Sequence, residues 1–155
     1  MTLSYVGNLL PINILRLDKG LPLPKYAHLG DDAGMDLFSA DTGRIDPLHT
    51  RTFSVGISIE VPKGYVGLVH PRSGLAFKKG ITVLNAPGTI DAGYTGEIKV
   101  ALHNTNPTFA ANIKRGDRIA QIVFQKIEIA HLVEVDSIDE LGRHARGRNG
   151  YGSTG

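Results

Sequence analysis

The strongest constraint on the fold is a run of two-residue alternation in the middle of the chain. In residues 51–61 an apolar side chain occupies every second position from Phe53 to Val61, and mostly Thr, Ser or Glu stands between them. Successive side chains of a β-strand point to opposite faces, so this pattern predicts a strand with one buried face. Residues 95–102 repeat the pattern with Ile98, Val100 and Leu102.

Similar strand signals recur along the whole chain, and glycine and proline separate them. We predict further strands over 65–69, 81–84, 109–113 and 118–135, and one short helix over 73–79. Turns are expected at 62–64, 86–88, 91–93 and 115–117, and 19 Gly and eight Pro are many for 155 residues. Many short strands at regular spacing predict a single all-β domain, either a barrel or a jelly roll.

Composition excludes several classes of protein. There is no Cys, which rules out a disulfide scaffold and a Cys-ligated zinc site, and the formal charge is only +2. No apolar run approaches the roughly 20 residues of a membrane span, so we expect a cytoplasmic protein. Asp31, Asp32 and Asp36 are expected to be solvated loop residues, and the tripeptide 115–117 is expected to be a β-turn.

Residues 88–97 form the first candidate site. Glycines at both ends of this predicted hairpin would expose backbone amides and carbonyls that can contact the flat edge of a base. Asp91 at the turn could act as a general base on a water molecule. The alternative is a plain hairpin in which the Asp91 side chain caps its own turn.

A second candidate is the transition from a strand into the short helix at residues 70–76. Ser73 and the first amides of the helix would form an anion site, to which Arg72 adds a positive charge. The alternative is an ordinary helix start with Ser73 as the N-cap. We expect His70 to be structural, because no partner for catalysis is evident.

The C-terminal segment 142–155 differs from the rest and is predicted to be a flexible Gly/Arg-rich tail to a 1–141 domain. It nearly matches a P-loop but lacks the lysine after Gly152. Glycine amides, the Ser153 and Thr154 hydroxyls and Arg146 or Arg148 could cradle a phosphate, and a base could stack on Tyr151. The alternative is a disordered polar tail with no role in a site.

Taken together, five segments resemble the motifs of the trimeric dUTPase family, in order, over roughly residues 12–155. They read Asp-Ala-Gly-Met-Asp-Leu-Phe-Ser at 32–39, Pro-Arg-Ser-Gly-Leu-Ala at 71–76, Asn-Ala-Pro-Gly-Thr-Ile-Asp-Ala-Gly-Tyr-Thr-Gly-Glu at 85–97, Arg-Gly-Asp-Arg-Ile-Ala-Gln at 115–121, and Arg-Gly-Arg-Asn-Gly-Tyr-Gly-Ser-Thr at 146–154. Any one of these motifs is a weak signal. Five in order identify the chain as resembling that family.

The resemblance implies a jelly-roll homotrimer whose three active sites each use parts of all three subunits, and an enzyme that hydrolyses dUTP to dUMP and pyrophosphate. Asn85 and the backbone of Thr89, Ile90 and Asp91, with Lys99, would bind the uracil edge. Tyr94 would lie under the deoxyribose. Asp91 would activate the water, and Gln121 would sit near the α-phosphate.

The resemblance also implies how the phosphates are held. Arg72, Ser73 and Gly74 would bind the phosphate chain, and Asp36 would hold water molecules around a Mg²⁺ carried by the triphosphate. The tail would close over the site through Arg146, Tyr151, Gly152, Ser153 and Thr154. Ala86, Asn149 and Tyr151 depart from the family's usual Ser, Gly and Phe.

Two rival functions are compatible with parts of the sequence. A dCTP deaminase-type enzyme would share the fold and the segment 88–98, but it would need a catalytic Glu where this chain has Ala101. A non-catalytic nucleic-acid-binding module would use the Arg/Gly tail, although the remaining basic residues are interleaved with acidic ones. Salt-dependent binding to single strands would support that reading.

Overall fold

The structure is a computed structural model of the chain that describes residues 9–141. Within that range the chain is mostly β-strand, with one α-helix and a 3₁₀ turn at its end. The strands are β1 (Asn13–Arg16), β2 (Met35–Phe38), β3 (Gly43–Ile45), β4 (Thr50–Glu60), β5 (Tyr65–His70), β6 (Ile81–Val83), β7 (Gly88–Ile90), β8 (Glu97–Asn104), β9 (Ala111–Ile113) and β10 (Arg118–Lys126). The helix α1 is Ser73–Lys79, and the 3₁₀ turn is Ile138–Leu141.

The strands form two four-stranded sheets and one small pair. The sheets have the orders β1-β4-β8-β6 and β2-β10-β5-β7, every pairing is antiparallel, and β3 pairs with β9. Apolar side chains from both sheets meet in one core, which includes Leu37, Phe53, Ile98, Leu102 and Ile122. The predicted all-β, jelly-roll-like fold is confirmed.

Strand β4 confirms the predicted alternation but is covered on both faces at its centre. Phe53, Val55, Ile57, Ile59 and Val61 are all buried as expected. The ladder to β8 shifts register between Ser54 and Ser58, and Gly56 between them has a φ of 70°. Its carbonyl accepts the amides of Leu17 and Asp18, so the loop after β1 packs over this irregularity.

The predicted strand over 118–135 is wrong beyond Lys126. The last pair of the ladder joins Lys126 to Tyr65, which is the first residue of β5, and one more bond runs from the Ile127 amide to the Gly64 carbonyl. Alternation predicts an extended chain but supplies no partner, and no described strand lies opposite the following residues. Leu132 is consequently 89% exposed and Ile129 83%.

The other predicted elements are confirmed with shifted ends. The predicted strand 109–113 begins only at Ala111, because the Asn106 carboxamide accepts the amides of Thr108 and Phe109 and holds them in a turn. The sequence did not predict β1, β2, β3 and β7. These strands have three or four residues each, which is too short for a period of two to be recognised.

The turns lie at the glycine and proline positions predicted from the sequence. Gly64 and Gly116 have φ values of 82° and 87°, a region that favours glycine. Tripeptide 115–117 is a β-turn as predicted, with the Asp117 amide bonded to the Lys114 carbonyl, and the Arg115 guanidinium binds the Asp18 carboxylate.

In the described part of the chain, no helix has the length and apolar character needed to cross a membrane.

Candidate active site

A cavity of about 220 Å³ opens between the edges of the two sheets. We call it the base pocket, and its lining residues are Val69, Val83, Asn85, Gly88, Thr89, Ile90, Tyr94, Ile98, Lys99 and Val100. Five of them are predicted site residues: Asn85, Thr89, Ile90, Tyr94 and Lys99. The structure therefore brings the predicted base-binding residues together around one cavity.

The base pocket exists because β7 and β8 do not pair with each other. Strand β7 pairs with β5, where Thr89 lies opposite Leu68, whereas β8 pairs with β4 and β6. The predicted hairpin over 88–97 is therefore wrong: its two arms belong to different sheets. Sequence position suggested that the two arms are neighbours, but it does not show which strand an arm pairs with. No ladder bonds join the arms, so backbone groups remain at the mouth of the cavity.

Tyr94 is fixed inside the connection between these two strands. Its amide donates to the Asp91 carbonyl at 3.0 Å, and its hydroxyl donates to the Glu97 carbonyl at 2.7 Å. A Cβ at Gly96 would lie 2.6 Å from the Tyr94 hydroxyl oxygen, closer than real Cβ contacts. The ring can therefore occupy this place only beside a glycine.

Asp91 lies exposed in the same connection. The turn is closed by its main-chain carbonyl, and within residues 9–141 its carboxylate takes part in no hydrogen bond or ion pair. The alternative in which the Asp91 side chain caps its own turn is therefore wrong. The carboxylate is available to a water molecule or a ligand.

Three charged side chains form a second feature, which we call the arginine cluster: Asp36, Arg72 and Arg118. Arg72 Nε donates to Asp36 Oδ1 at 2.7 Å, and Arg118 Nη1 donates to Asp36 Oδ2 at 3.1 Å. Arg72 Nη1 also donates to the Arg118 carbonyl at 3.1 Å. One carboxylate thus fixes two guanidinium groups on the outer face of the sheet.

Helix α1 starts directly after Arg72, and Ser73 is its first helical residue. The N-cap is Arg72, whose side chain makes no capping bond, so the alternative with Ser73 as the N-cap is wrong. The Arg72 carbonyl accepts the amides of Leu75 and Ala76. Ser73 and Gly74 are exposed, and the space beside Gly74 where a Cβ would stand is open.

Gln121 lies beside the arginine cluster in the same sheet. It is paired with Asp36 on one side and with His70 on the other, and its Nε2 donates to the Pro71 carbonyl at 3.1 Å. A Cβ at Gly34 would lie 2.9 Å from Gln121 Oε1, so the neighbouring strand leaves room for this side chain. The His70 side chain is half-buried and makes no hydrogen bond within residues 9–141, and the structural role predicted for it stays a prediction.

Within one chain, the Asp91 end of the base pocket and Gln121 lie on opposite sides of β5 and at different positions along it. Ile90, which precedes Asp91, pairs with Gly67, whereas Gln121 pairs with His70 three residues further along β5. Three residues of strand and two strand spacings separate these positions, which places the main chain of Gln121 about 14 Å from that of Ile90.

The remaining predictions concern metal binding and the tail. Within residues 9–141 no group of three or more His, Asp or Glu residues could hold a metal ion. Asp32 accepts the His28 amide at 2.6 Å, which supports the prediction of an ordinary loop. The prediction that Asp36 is a solvated loop residue is wrong, because Asp36 lies in β2 and its carboxylate pairs with Arg72 and Arg118. Arg146, Tyr151, Gly152, Ser153 and Thr154 lie outside the described residues.

Sequence reasoning assigned no role to two residues that the structure places at these features. Arg118 belongs to the arginine cluster, and Glu97 ties the Tyr94 connection to β4 by accepting the Gly56 amide at 3.2 Å. Both residues stand inside the motifs quoted above, and that position was the sign in the sequence that they belong to the site. Their contacts span 82 and 41 residues of sequence, so spacing could not reveal them.

Among curated proteins, the chain is similar to deoxyuridine 5′-triphosphate nucleotidohydrolases. It is 53% identical over 155 residues to the enzyme of Corynebacterium jeikeium, covering 100% of this chain and 99% of the relative. It is 54% identical over 144 residues to that of Mycobacterium tuberculosis, covering 92% and 93%.

The chain is also similar to solved structures of dUTPases. A Staphylococcus bacteriophage 80alpha dUTPase with dUpNHpp matches with a TM-score of 0.83 and 28% identity, covering 94% of this chain and 98% of that one. A dUTPase from phage phi11 of S. aureus, described with a structural Mg(II) ion, matches with a TM-score of 0.76 and 25% identity, covering 83% and 99%. The dUTPase family model matches residues 21–155, and the chain belongs to the dUTPase family.

Proposed function

We propose that this protein hydrolyses dUTP to dUMP and pyrophosphate by attack of water on the α-phosphorus. Such an enzyme limits the incorporation of uracil into DNA and supplies dUMP for thymidylate synthesis. The observation that carries the proposal is the base pocket, where five residues chosen from the sequence surround one cavity. Hydrolysis in oxygen-18-labelled water tests the bond that is cut: the label is expected in dUMP, and label in pyrophosphate would contradict attack at the α-phosphorus.

The base pocket supports selection of uracil. Its inner walls are the apolar side chains of Val69, Val83, Ile98 and Val100, and its mouth carries the backbone of β7 with Asn85. Close-packed walls leave no place for the 5-methyl group of thymine. Cytosine would bring its amino donor against a backbone donor, and buried donors without acceptors cost binding energy.

Tyr94 supports selection of deoxyribose. Its ring lines the pocket and is fixed at the hydroxyl by Glu97 and at the side by Gly96. A ring held in this position would leave no space for a ribose 2′-hydroxyl above it. The discrimination against UTP would therefore come from the fixed position of one aromatic side chain.

The phosphate chain is assigned to Arg72, Ser73 and Gly74. The exposed start of α1 presents the amides of Ser73 and Gly74, and Arg72 adds a guanidinium that is held by Asp36. Phosphoryl transfer depends more on positioning and charge neutralisation than on covalent catalysis. These groups would bind the triphosphate while the reaction itself takes place at the α-phosphorus.

Asp91 is the catalytic base of the proposal, and Gln121 is its partner near the α-phosphate. The Asp91 carboxylate is exposed and has no partner within residues 9–141, so it can accept a proton from water. The Gln121 carboxamide is held by the Pro71 carbonyl and can orient the same water or a phosphate oxygen.

Magnesium fits this site as an ion carried by the substrate. In residues 9–141 no cluster of ligands would hold it without the nucleotide, and magnesium commonly keeps its waters and binds substrate phosphates. Asp36 is the residue that would accept hydrogen bonds from those waters, because each of its oxygens uses only one acceptor position on an arginine. When bound, the ion neutralises charge on the triphosphate.

The separation of the two features supports a homotrimer with shared active sites. The main chains beside Asp91 and at Gln121 lie about 14 Å apart in one chain, which favours a site that combines the base pocket of one copy with the arginine cluster of another. A closed ring of three copies would supply three such sites. The apolar residues of 127–141 that one chain leaves exposed add surface for such contacts.

Complementation between inactive variants tests the shared site. Asp91→Asn disables the base of one chain, and Arg72→Gln disables the phosphate contact of another. After the two proteins are unfolded and refolded together, about a quarter of the sites would combine an intact Asp91 with an intact Arg72 from different copies. Recovery of that activity is expected, and a mixture as inactive as its components would contradict sharing.

The tail 142–155 is assigned the role of a lid on the 1–141 domain. Arg146, Ser153 and Thr154 would contact phosphates, Gly152 would give a close backbone approach, and Tyr151 would cover the base. Closure of such segments excludes water and completes a catalytic site.

We place the enzyme in the cytoplasm with its nucleotide substrate, and the absence of cysteine supports this because the chain needs no oxidising compartment.

A further inference from the structure

We propose that Arg118 is a positioning residue for phosphate binding. By sharing the Asp36 carboxylate, it leaves Arg72 with positive charge that a phosphate can use. The inference rests on the proposed function, because it takes Arg72 as a phosphate contact. It adds a residue to which neither the sequence motifs nor the base pocket assigns a role.

The contacts show that Arg118 holds Arg72 in two ways. Its carbonyl accepts Arg72 Nη1 at 3.1 Å, and its guanidinium binds the second oxygen of the carboxylate that accepts Arg72 Nε at 2.7 Å. The Arg72 guanidinium is therefore fixed on two of its N–H groups. Its other N–H groups stay available for an anion.

Charge within the arginine cluster depends on Arg118. With one carboxylate and two guanidinium groups, the cluster carries one net positive charge. Without Arg118, Asp36 and Arg72 would neutralise each other, and an incoming phosphate would have to compete with Asp36 for Arg72. Sharing the carboxylate removes that competition.

Burial makes this arrangement matter more than an ordinary surface ion pair. The side chains of Asp36 and Arg72 are each only 23% exposed, whereas that of Arg118 is 54% exposed. Charges that are partly shielded from water interact more strongly than fully solvated ones. Arg118 is the most exposed of the three, so its substitution should disturb the fold least.

An irregularity in β10 places Arg118 on this face. Ala120 is paired with Leu37 and Arg118 with Phe38, so β10 contains one residue more than β2 at this point. Ile119 and Ala120 are both buried, which regular alternation would forbid for neighbours. An extra residue re-aims the neighbouring side chains of its strand, and here Arg118, just before it, lies beside Asp36.

Equilibrium binding of dUpNHpp and of deoxyuridine to the full chain tests the proposal. Both are measured with EDTA present, so that only the charges of the protein act on the triphosphate. Arg118→Gln is expected to weaken dUpNHpp binding on the order of tenfold, as for the loss of one partly screened charge. Deoxyuridine binding is expected to stay unchanged, and Arg118→Lys is expected to recover part of the loss.

The double variant Asp36→Asn, Arg118→Gln distinguishes positioning from direct contact. It removes the carboxylate together with its partner, so Arg72 is again uncompensated and most of the dUpNHpp affinity is expected to return. Arg44→Gln is the matched control, because Arg44 is an exposed arginine paired with Asp46 at 2.7 Å and its substitution changes the net charge equally. We expect Arg44→Gln to bind as the wild type does.

Three results would overturn the inference. Equal binding by Arg118→Gln and Arg44→Gln would show that Arg118 does not act on the phosphates. Equal losses for dUpNHpp and deoxyuridine would indicate general damage to the fold. A double variant as weak as Arg118→Gln would make Arg118 a direct phosphate contact. By contrast, a folded wild type that binds deoxyuridine but does not bind dUpNHpp even with Mg²⁺ present would contradict the proposed function itself.

Discussion

The base pocket and the arginine cluster solve two recognition problems by different physical means. The base pocket is walled by apolar side chains and presents backbone groups from β7. The arginine cluster consists of three charged side chains on the outer face of a sheet. Base selection depends mainly on shape and backbone groups, with Lys99 as the one charged lining residue, whereas a triphosphate needs several charges and tolerates a looser fit. Salt should therefore weaken the second feature more than the first.

The largest effect is expected from Asp91→Asn, which removes the general base without touching either feature. Turnover of dUTP should fall by about 10²- to 10⁴-fold, while the affinity for dUpNHpp stays nearly constant. Asp31→Asn is the control, since Asp31 is another exposed loop carboxylate. Steady-state kinetics beside equilibrium binding measures both quantities, and a variant with wild-type turnover would refute the role of Asp91.

Truncation after Leu141 removes the segment proposed to cover both features. Loss of the lid should lower turnover by about 10²-fold or more, because a bound substrate is then no longer held in its reactive geometry. The truncated protein should keep the circular dichroism and the subunit number of the full chain. Unchanged kinetics would show that the tail takes no part in the reaction.

Gly96→Ala disturbs the base pocket alone. The new Cβ would lie 2.6 Å from the Tyr94 hydroxyl oxygen, so the ring must move and kcat/KM for dUTP should fall by about tenfold or more. Gly93→Ala in the same connection is the matched control, because a Cβ there meets no atom within 4 Å. Equal kinetics for the two variants would mean that the position of Tyr94 does not limit catalysis.

The smallest effect concerns the ion pair between Asp18 and Arg115, which lies outside both features. The hydrogen bond from Arg115 and that from the Gly20 amide hold the pKa of Asp18 below its ordinary value of 3.8. A carboxylate with a depressed pKa stabilises the fold above its unfolded pKa, and the contribution disappears as the pH falls through the folded value. Asp18→Asn should therefore lower the melting temperature slightly at pH 7 and by less as the pH is taken below 3.8, while equal shifts at both pH values would exclude this linkage.

The sequence was most informative about the base pocket. Seven of its ten lining residues lie between Asn85 and Lys99, so a single stretch of sequence contained most of them. What failed was the pairing of the arms, because alternation shows that a segment is a strand without showing its neighbour. The same limit explains the strand wrongly extended to Val135, where alternation continues but β5 offers no further residue opposite.

The arginine cluster was less accessible to sequence reasoning. Asp36 and Arg72 were named for separate reasons, and their contact depends on the order β2-β10-β5, which no local pattern encodes. Arg118 depends in addition on one extra residue in β10. A charged side chain on a strand reveals its partners only when the register is known.

A substrate panel with Mg²⁺ tests the central claim most directly. Purified protein is given dUTP, UTP, dTTP and dCTP, and pyrophosphate and ammonia are followed together. The account predicts pyrophosphate from dUTP and little from the other three, with no ammonia. Ammonia from dCTP would contradict it and would mean that deamination proceeds although Ala101 offers no carboxylate. No product from any of the four would leave the fold without the proposed chemistry.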